Sequence, residues 1–132
     1  MSEENVEVVR RGIDAWSRGD RDEWLAVFAP DAEWHTTGLF ADEGIYRGRA
    51  GLERLWAELR EDIEELSTSV SEIRAIGDRV FVAATGTGRG KRSKAGFEQL
   101  VWYVMTLRDG LVVRLETYLD PEQALEAAGL EE

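Results

Sequence analysis

Cysteine is missing from this chain, and only one histidine and two prolines occur in its 132 residues. Without cysteine there is no disulfide framework and no thiolate site, which fits a cytoplasmic protein. A single histidine leaves only carboxylates as metal ligands, and they show no ligand spacing, so we expect no metal site. With so little proline and no linker composition, residues 1–132 are expected to form a single domain.

Long apolar runs and a basic surplus are missing too. No stretch of about 18 apolar residues is present, so we expect no transmembrane span and no membrane partner. Residues 1–5 are acidic and lack the basic and apolar regions of a signal peptide. The net charge of −11 argues against nucleic acid as a partner. The one basic stretch, 89–94, lies between strand-like runs and is expected to be a solvated hairpin tip.

Two long β-runs near 95–108 and 111–120 are the clearest feature that is present. Asp109-Gly110 lies between them and predicts a tight hairpin, because glycine accepts the positive φ that such a turn requires. The first run is apolar on both faces, with Val101, Tyr103 and Met105 on one side and Leu100, Trp102 and Val104 on the other. A strand with one wet face would alternate apolar and polar residues. We therefore expect helices to cover one face and a second copy of the chain the other, giving a homodimer.

The rest of the chain divides into a helical first half and a β-rich second half. Apolar spacing predicts helices over 3–18 and 52–63, and a short helix that Asp20 caps, that carries Phe28 and that stops at Pro30. Residues 32–36 read as a short strand and 37–46 as a loop. Strands are predicted near 64–76 and 79–89, and a last helix over 122–128 follows the Asp120-Pro121 cap.

Three segments together resemble one known family. They are FAPDAEWH at 28–35, YRGRAGL at 46–52 opening a helix, and RDGLVVR at 108–114 with its continuation to residue 125. This pattern is similar to the SnoaL-like polyketide cyclases of the nuclear transport factor two-like superfamily, which includes ketosteroid isomerases and limonene epoxide hydrolases. The resemblance implies an α+β fold: a cone-shaped α+β barrel with three N-terminal helices and a curved, mostly antiparallel sheet wrapped around a long helix.

The resemblance also implies that the cone binds a hydrophobic small molecule without any cofactor. The residues expected to contact the ligand are Trp34, Thr36, Phe40, Trp56, Ala84, Gly86, Met105 and Thr117, with Phe40 on a loop expected to act as a lid. The small residues Ala84, Gly86 and Gly88 recur at every second position of one strand. They either leave open volume in the cone or permit strand curvature.

Known catalytic patterns of the superfamily do not transfer to this chain. The general-base position of the ketosteroid isomerases falls on Thr36, the oxyanion-hole acid on Tyr103 and the oxyanion-hole tyrosine on Gly12. The arginine-x-aspartate pair of the epoxide hydrolases finds no match near 82–87, and their last-strand aspartate falls on Thr117. Neither of these two activities is expected.

His35 and Tyr103 remain as catalytic candidates. Imidazole is the best general acid–base near neutral pH, although strand alternation turns His35 outward if Trp34 and Thr36 point inward. Tyr103 is either a satisfied core tyrosine or a donor to a ligand carbonyl. Glu116 and Asp120 have outward parity and read as solvated or capping groups. Two hypotheses stay open: a cyclase- or isomerase-type proton-transfer enzyme, and a non-catalytic ligand-binding or dimeric interaction module.

Overall fold

Four helices and six strands make up the part of the chain that the computed structural model describes, residues 2–36 and 44–129. The helices are α1 (Ser2–Arg18), α2 (Arg21–Leu25), α3 (Gly48–Asp62) and α4 (Pro121–Ala128). The strands are β1 (Phe28–His35), β2 (Ile45–Arg47), β3 (Ile63–Ile76), β4 (Arg79–Gly90), β5 (Gly96–Arg108) and β6 (Leu111–Tyr118). The predicted α+β class with three N-terminal helices is confirmed. None of the helices in these ranges is long and apolar enough to cross a membrane.

All six strands belong to one sheet with the order β2-β1-β6-β5-β4-β3. The β1–β6 pair is parallel and the other pairs are antiparallel, as a mostly antiparallel sheet requires. The prediction of a barrel is wrong in one respect: β2 and β3 are the two edges of an open, curved sheet. Closure would need these edges to pair, and β2 has only three residues to offer. Helices α1 and α3 pack on the inner face of this sheet.

The second helix is shorter than its apolar residues predicted. Asp20 caps it by accepting a hydrogen bond from the backbone N–H of Glu23, as expected. However, α2 ends at Leu25, and Phe28 begins β1, because the backbone carbonyl of Val27 accepts a hydrogen bond from Val112 of β6. Pro30 therefore lies within β1, where the pairing with β6 shifts register and its missing N–H is tolerated.

Strand β2 overlaps the end of the segment predicted to be a loop, residues 37–46. Ile45–Arg47 pairs with the end of β1, and the side chain of Tyr46 is fully buried. Helix α3 follows at once and passes close to this strand, since a Cβ on Gly51 would lie 3.1 Å from the carbonyl carbon of Tyr46. Residues 37–43, which include Phe40 and most of the predicted lid, lie outside the described residues.

The β5–β6 hairpin forms as predicted. Asp109 and Gly110 have φ values of 54° and 78°, the double positive φ of a type I′ turn. A bulge next to the turn pairs Thr106 with Arg114 but Leu107 with Val112. The extra residue changes which side chains of β6 point inward before the regular alternation resumes.

Both faces of β5 are covered in part, but not as the sequence predicted. Helix α4 packs on the outer face and buries Phe81 and Val104 against Ala124 and Ala128. Phe81 and Val104 are thus covered by the chain itself and not by a second copy. Leu100 remains 60% exposed at the uncovered end of the same face.

Candidate binding cavity

A small apolar cavity lies between α1 and the inner face of the sheet. Its volume is about 30 Å³, enough for one or two water molecules and far below the roughly 300–1,000 Å³ of typical ligand pockets. Residues from α1, α2, the turn after α2 and four strands line it: Val9, Gly12, Ile13, Trp16, Trp24, Val27, Phe28, Trp34, Thr68, Tyr103, Met105, Val112 and Leu115. A drug-sized ligand therefore requires that some of these side chains move.

Four tryptophans fill most of the space above the sheet. We call Trp16, Trp24, Trp34 and Trp56 the tryptophan cluster; their ring centroids lie 5.0–6.1 Å apart in five of the pairs. All four are buried, and they come from α1, α2, β1 and α3. Tilted and edge-to-face pairs at these distances stabilise aromatic rings beyond the effect of burial alone. The cluster joins the helices to the sheet and forms much of the cavity wall.

Trp34 is fixed by a buried hydrogen bond to the last strand. Its Nε1–H donates to Thr117 Oγ1 at 2.7 Å, and the Thr117 side chain is fully buried. Both residues were predicted to contact a ligand, and the structure brings them together on the inner face. Trp34 lines the cavity, whereas Thr117 supports it from behind.

Tyr103 places a hydroxyl group beside the cavity. Thr68 hydrogen-bonds this hydroxyl, and Thr68 is held in turn by Ser17, whose Oγ accepts from the backbone N–H of Thr68 at 3.0 Å. Burial raises the pKa of Tyr103 to about 12, although the bond to Thr68 opposes the shift. At neutral pH the phenol is therefore protonated and can donate a hydrogen bond. Met105, predicted to contact the ligand, lies two residues farther along β5 and also lines the cavity.

Arg60 stands against the tryptophan cluster from the side of α3. Its guanidinium carbon lies 3.6 Å from the ring centroid of Trp56 and 4.5 Å from that of Trp16. Its Nη2 donates to the backbone carbonyl of Trp16 at 2.5 Å. Burial lowers the pKa of Arg60 to about 10, so the group is still charged at neutral pH.

His35 lies on the other side of the sheet and does not line the cavity. Its Nε2 is 3.0 Å from Glu33 Oε1, and Arg47 Nε donates to Glu33 Oε2 at 3.2 Å. Hydrogen bonds from His35 and then from Arg47 lower the pKa of Glu33. The structure thus separates the two predicted catalytic residues, since Tyr103 faces the cavity and His35 belongs to this outer polar group.

The remaining predicted contacts lie around the cavity without lining it. Thr36 is buried and donates from its backbone N–H to Gly44 O at 2.9 Å. Trp56 belongs to the tryptophan cluster, and Ala84 is buried in the core. The backbone at Gly86 has room, because a Cβ there would meet only Gln99 O at 3.8 Å.

Gly88 behaves differently from Gly86. A Cβ on Gly88 would lie 2.8 Å from Ile63 Cγ2 and 2.9 Å from the Phe97 ring. At this end of the strand the small residue permits close packing and does not leave open volume.

Sequence reasoning missed Trp16, Trp24 and Arg60 as parts of this site. Trp16 and Trp24 lie in the first two predicted helices, and their aromatic character was the available signal. Arg60 carried no signal, since a basic residue near a helix end is common on protein surfaces. Among residues 2–36 and 44–129, no group of three or more acidic or histidine side chains is arranged to hold a metal ion.

Comparison with known proteins identifies relatives along nearly the whole chain. The family model of the SnoaL-like domain matches residues 9–115. The chain is 34% identical to a nuclear transport factor two-like protein of Burkholderia xenovorans, covering 97% of both chains with a TM-score of 0.75. It is 28% identical to a proposed polyketide cyclase of Sinorhizobium meliloti, covering 85% of this chain and 94% of that one with a TM-score of 0.67. An uncharacterised protein of Mycobacterium tuberculosis is 27% identical over 121 residues, 89% of this chain and 90% of that protein.

Proposed function

Because the chain belongs to the SnoaL-like domain family, we propose that it binds a hydrophobic small molecule between α1 and the inner face of the sheet. One observation carries the proposal: an apolar lining surrounds a single phenol hydroxyl, that of Tyr103. Apolar walls with a few placed polar groups are typical of small-molecule sites. The ligand makes room by displacing indole side chains, and no cofactor takes part.

The polar groups at the cavity favour binding over acid–base chemistry. The lining includes the hydroxyls of Tyr103 and Thr68, but neither a carboxylate nor an imidazole is found among the lining residues of the described chain. A protonated phenol donates to a carbonyl oxygen, whereas proton abstraction needs a base. A flat, apolar carbonyl compound matches this combination of apolar walls and one donor.

Direct binding measurements test the proposal. We expect polycyclic ketones to quench tryptophan fluorescence and to raise the melting temperature. Leu115→Phe adds a ring inside the cavity and is expected to weaken binding about tenfold or more, since a filled pocket excludes the ligand. Leu100→Phe makes the same change on the outer face and leaves binding unchanged. Equal affinities in the two variants would place the ligand elsewhere.

A proton-transfer activity of the cyclase or isomerase type is the second candidate, favoured by the position of the Tyr103 hydroxyl. A buried phenol can stabilise a developing enolate by hydrogen bonding, a contribution of about 10²-fold or more in kcat. For any carbonyl substrate that is turned over, Tyr103→Phe is expected to lower kcat by that amount. His35→Ala is expected to leave kcat unchanged, because His35 is on the other face. A large loss in His35→Ala alone would contradict this assignment.

We further propose that two copies associate through the uncovered part of the outer face, in the cytoplasm. Leu100 is 60% exposed; the partly buried Trp102 follows it two residues along β5 and pairs with the partly buried Tyr118 of β6. Exposed apolar patches of this kind mark association surfaces. The double variant Leu100→Glu, Trp102→Glu is expected to sediment as a monomer, while Lys91→Glu at the hairpin tip keeps the dimer. An unchanged dimer in the double variant would place the interface elsewhere.

A further inference from the structure

Arg60 is a half-buried cation with no counter-ion among the described residues. No carboxylate of the described residues lies within 4.0 Å of it, and its Nη1 is buried with no hydrogen-bond partner among those residues. Most buried polar atoms have a partner, so each exception needs a physical explanation. The exception is more costly for a charged group, because burial removes hydration from Nη1, and the bond from Nη2 and the two stacked indoles replace only part of it.

The position of Arg60 connects this charge to the cavity. The guanidinium lies over the ring of Trp16, and the same Trp16 lines the cavity. Trp16 also contacts three other rings of the tryptophan cluster. This indole therefore contacts both the cavity and the guanidinium, and a ligand larger than the present cavity has to move it or its neighbours.

Resting on the proposed function, we infer that the ligand of this cavity is an aromatic compound with an anionic group, a carboxylate or an ionised enol or phenol, and that Arg60 recognises this group. When the Trp16 indole moves aside, Nη1 becomes available to the ligand. Arginine is suited to this role because its planar fork binds carboxylates with two parallel hydrogen bonds. The aromatic part of the ligand then occupies the space between the remaining tryptophans.

The surroundings of the cavity favour an anion over a cation. A cationic ligand would meet the Arg60 charge without a compensating carboxylate, since none is found among the lining residues described. Charge–charge interactions at the buried Nη1 are stronger than they are in bulk water. The overall net charge of −11 acts in the opposite direction, but solvent and salt screen charges on the distant surface.

A purely structural role of Arg60 gives a different expectation. The bond from Nη2 to the Trp16 carbonyl and the stacking on two rings would hold α1 against α3 whatever the ligand's charge. Loss of Arg60 would then lower the affinity for anionic and neutral ligands by the same factor. The ratio of the two affinities therefore distinguishes recognition from support.

The test compares 2-naphthoate with 2-acetylnaphthalene, which have nearly the same shape and differ in charge. Tryptophan fluorescence titrations give both dissociation constants for the wild type and for Arg60→Gln, Arg60→Lys and Arg49→Gln. We expect the wild type to bind the anion about tenfold or more tightly, the usual effect of one charged hydrogen bond. Arg60→Gln should abolish the preference and Arg60→Lys should keep part of it. Arg49→Gln, which removes an exposed charge from the same helix, should keep all of it.

Other outcomes overturn the inference in distinguishable ways. Equal binding of the two compounds by the wild type overturns the role of Arg60 and leaves the cavity as a binding site. If Arg60→Gln still prefers 2-naphthoate, the role of Arg60 is likewise overturned and the cavity remains as a binding site. If neither compound binds to the wild type, the binding cavity itself and the inference fail together. The ratio of the two dissociation constants is measured on the wild type alone. The inference can therefore be tested even if the Arg60→Gln protein does not fold.

Discussion

The two faces of the sheet are built from the same strands but carry different kinds of side chain. The inner face holds the tryptophan cluster, an apolar cavity and the neutral hydroxyl of Tyr103. The outer face carries a short helix, an exposed Leu100 and polar groups such as the one around His35 and Glu33. Neighbouring side chains of β5 point to opposite faces, so the two environments are separated by one backbone.

This difference shows which kind of chemistry each face permits. The titratable groups with opposite-charge partners, such as Glu33 with Arg47 or Glu116 with Arg114, are on the outside, where water screens them. Inside, Arg60 stacks on Trp16, which lines the cavity, and no carboxylate of the described residues lies within 4.0 Å of it. The proposed ligand site therefore rests on the inner face, and the proposed association on the outer face.

Tryptophan truncation gives the largest expected difference between the faces. Trp24 is buried and contacts Trp16, Trp34, Trp56 and Phe28. Trp24→Ala is expected to lower the free energy of unfolding by about 3–5 kcal/mol, because it removes a large core side chain and leaves a cavity.

Trp102→Ala is the matched change on the outer face, and we expect it to cost clearly less. Urea unfolding at one protein concentration measures both variants. Equal losses would contradict the expectation and show that Trp102 contributes as much to stability as Trp24.

Threonine-to-valine changes give the next largest difference. Thr117→Val keeps the shape of the side chain but removes the acceptor of the Trp34 Nε1–H, which is then buried without a partner. Such a loss costs about 1–3 kcal/mol. Thr106→Val on the outer face removes no described hydrogen bond and is expected to change the unfolding free energy by less than about 0.5 kcal/mol. Similar values from urea unfolding would mean that water replaces Thr117 as the acceptor.

The sequence predicts most of the fold because its elements are specified locally. The spacing of Leu52, Leu55 and Leu59 predicts α3, and Asp109-Gly110 predicts the hairpin. Each signal is contained within a few neighbouring residues, so these elements can be predicted without knowing any contact between distant segments. The three residues of β2 are too few for a periodic pattern, and this strand was missed.

The candidate site was less predictable because it depends on contacts between distant segments. Arg60 reaches Trp16, 44 residues earlier in the chain, and neither residue shows this in its own neighbourhood. Alternation predicted that Val104 needs a cover, but it cannot distinguish a helix of the same chain from a second copy. The structure decides the question in favour of α4.

The smallest expected effect concerns the two tyrosines whose pKa is raised to about 12, Tyr103 inside and Tyr118 outside. Burial is the main cause for both, and a hydrogen bond to the Glu116 carboxylate adds to the shift of Tyr118. A raised pKa means that the folded protein holds the proton more tightly than the unfolded chain. The resulting stabilisation is complete below pH 10 and is lost as the pH rises towards 12.

Comparison with phenylalanine variants separates the two tyrosines. Near pH 11 ionisation of Tyr103 is expected to lower the free energy of unfolding of the wild type by about 1 kcal/mol. Tyr103→Phe has no phenol and does not show this loss. Added salt should change the loss little, because its cause is burial. Tyr118→Phe should show a smaller effect that shrinks in high salt, since the Glu116 charge contributes to the raised pKa and Tyr118 is only partly buried. Urea unfolding at several pH values and two salt concentrations measures both. A strong salt dependence for Tyr103 would indicate that an unshielded charge, and not the apolar inner face, controls its ionisation.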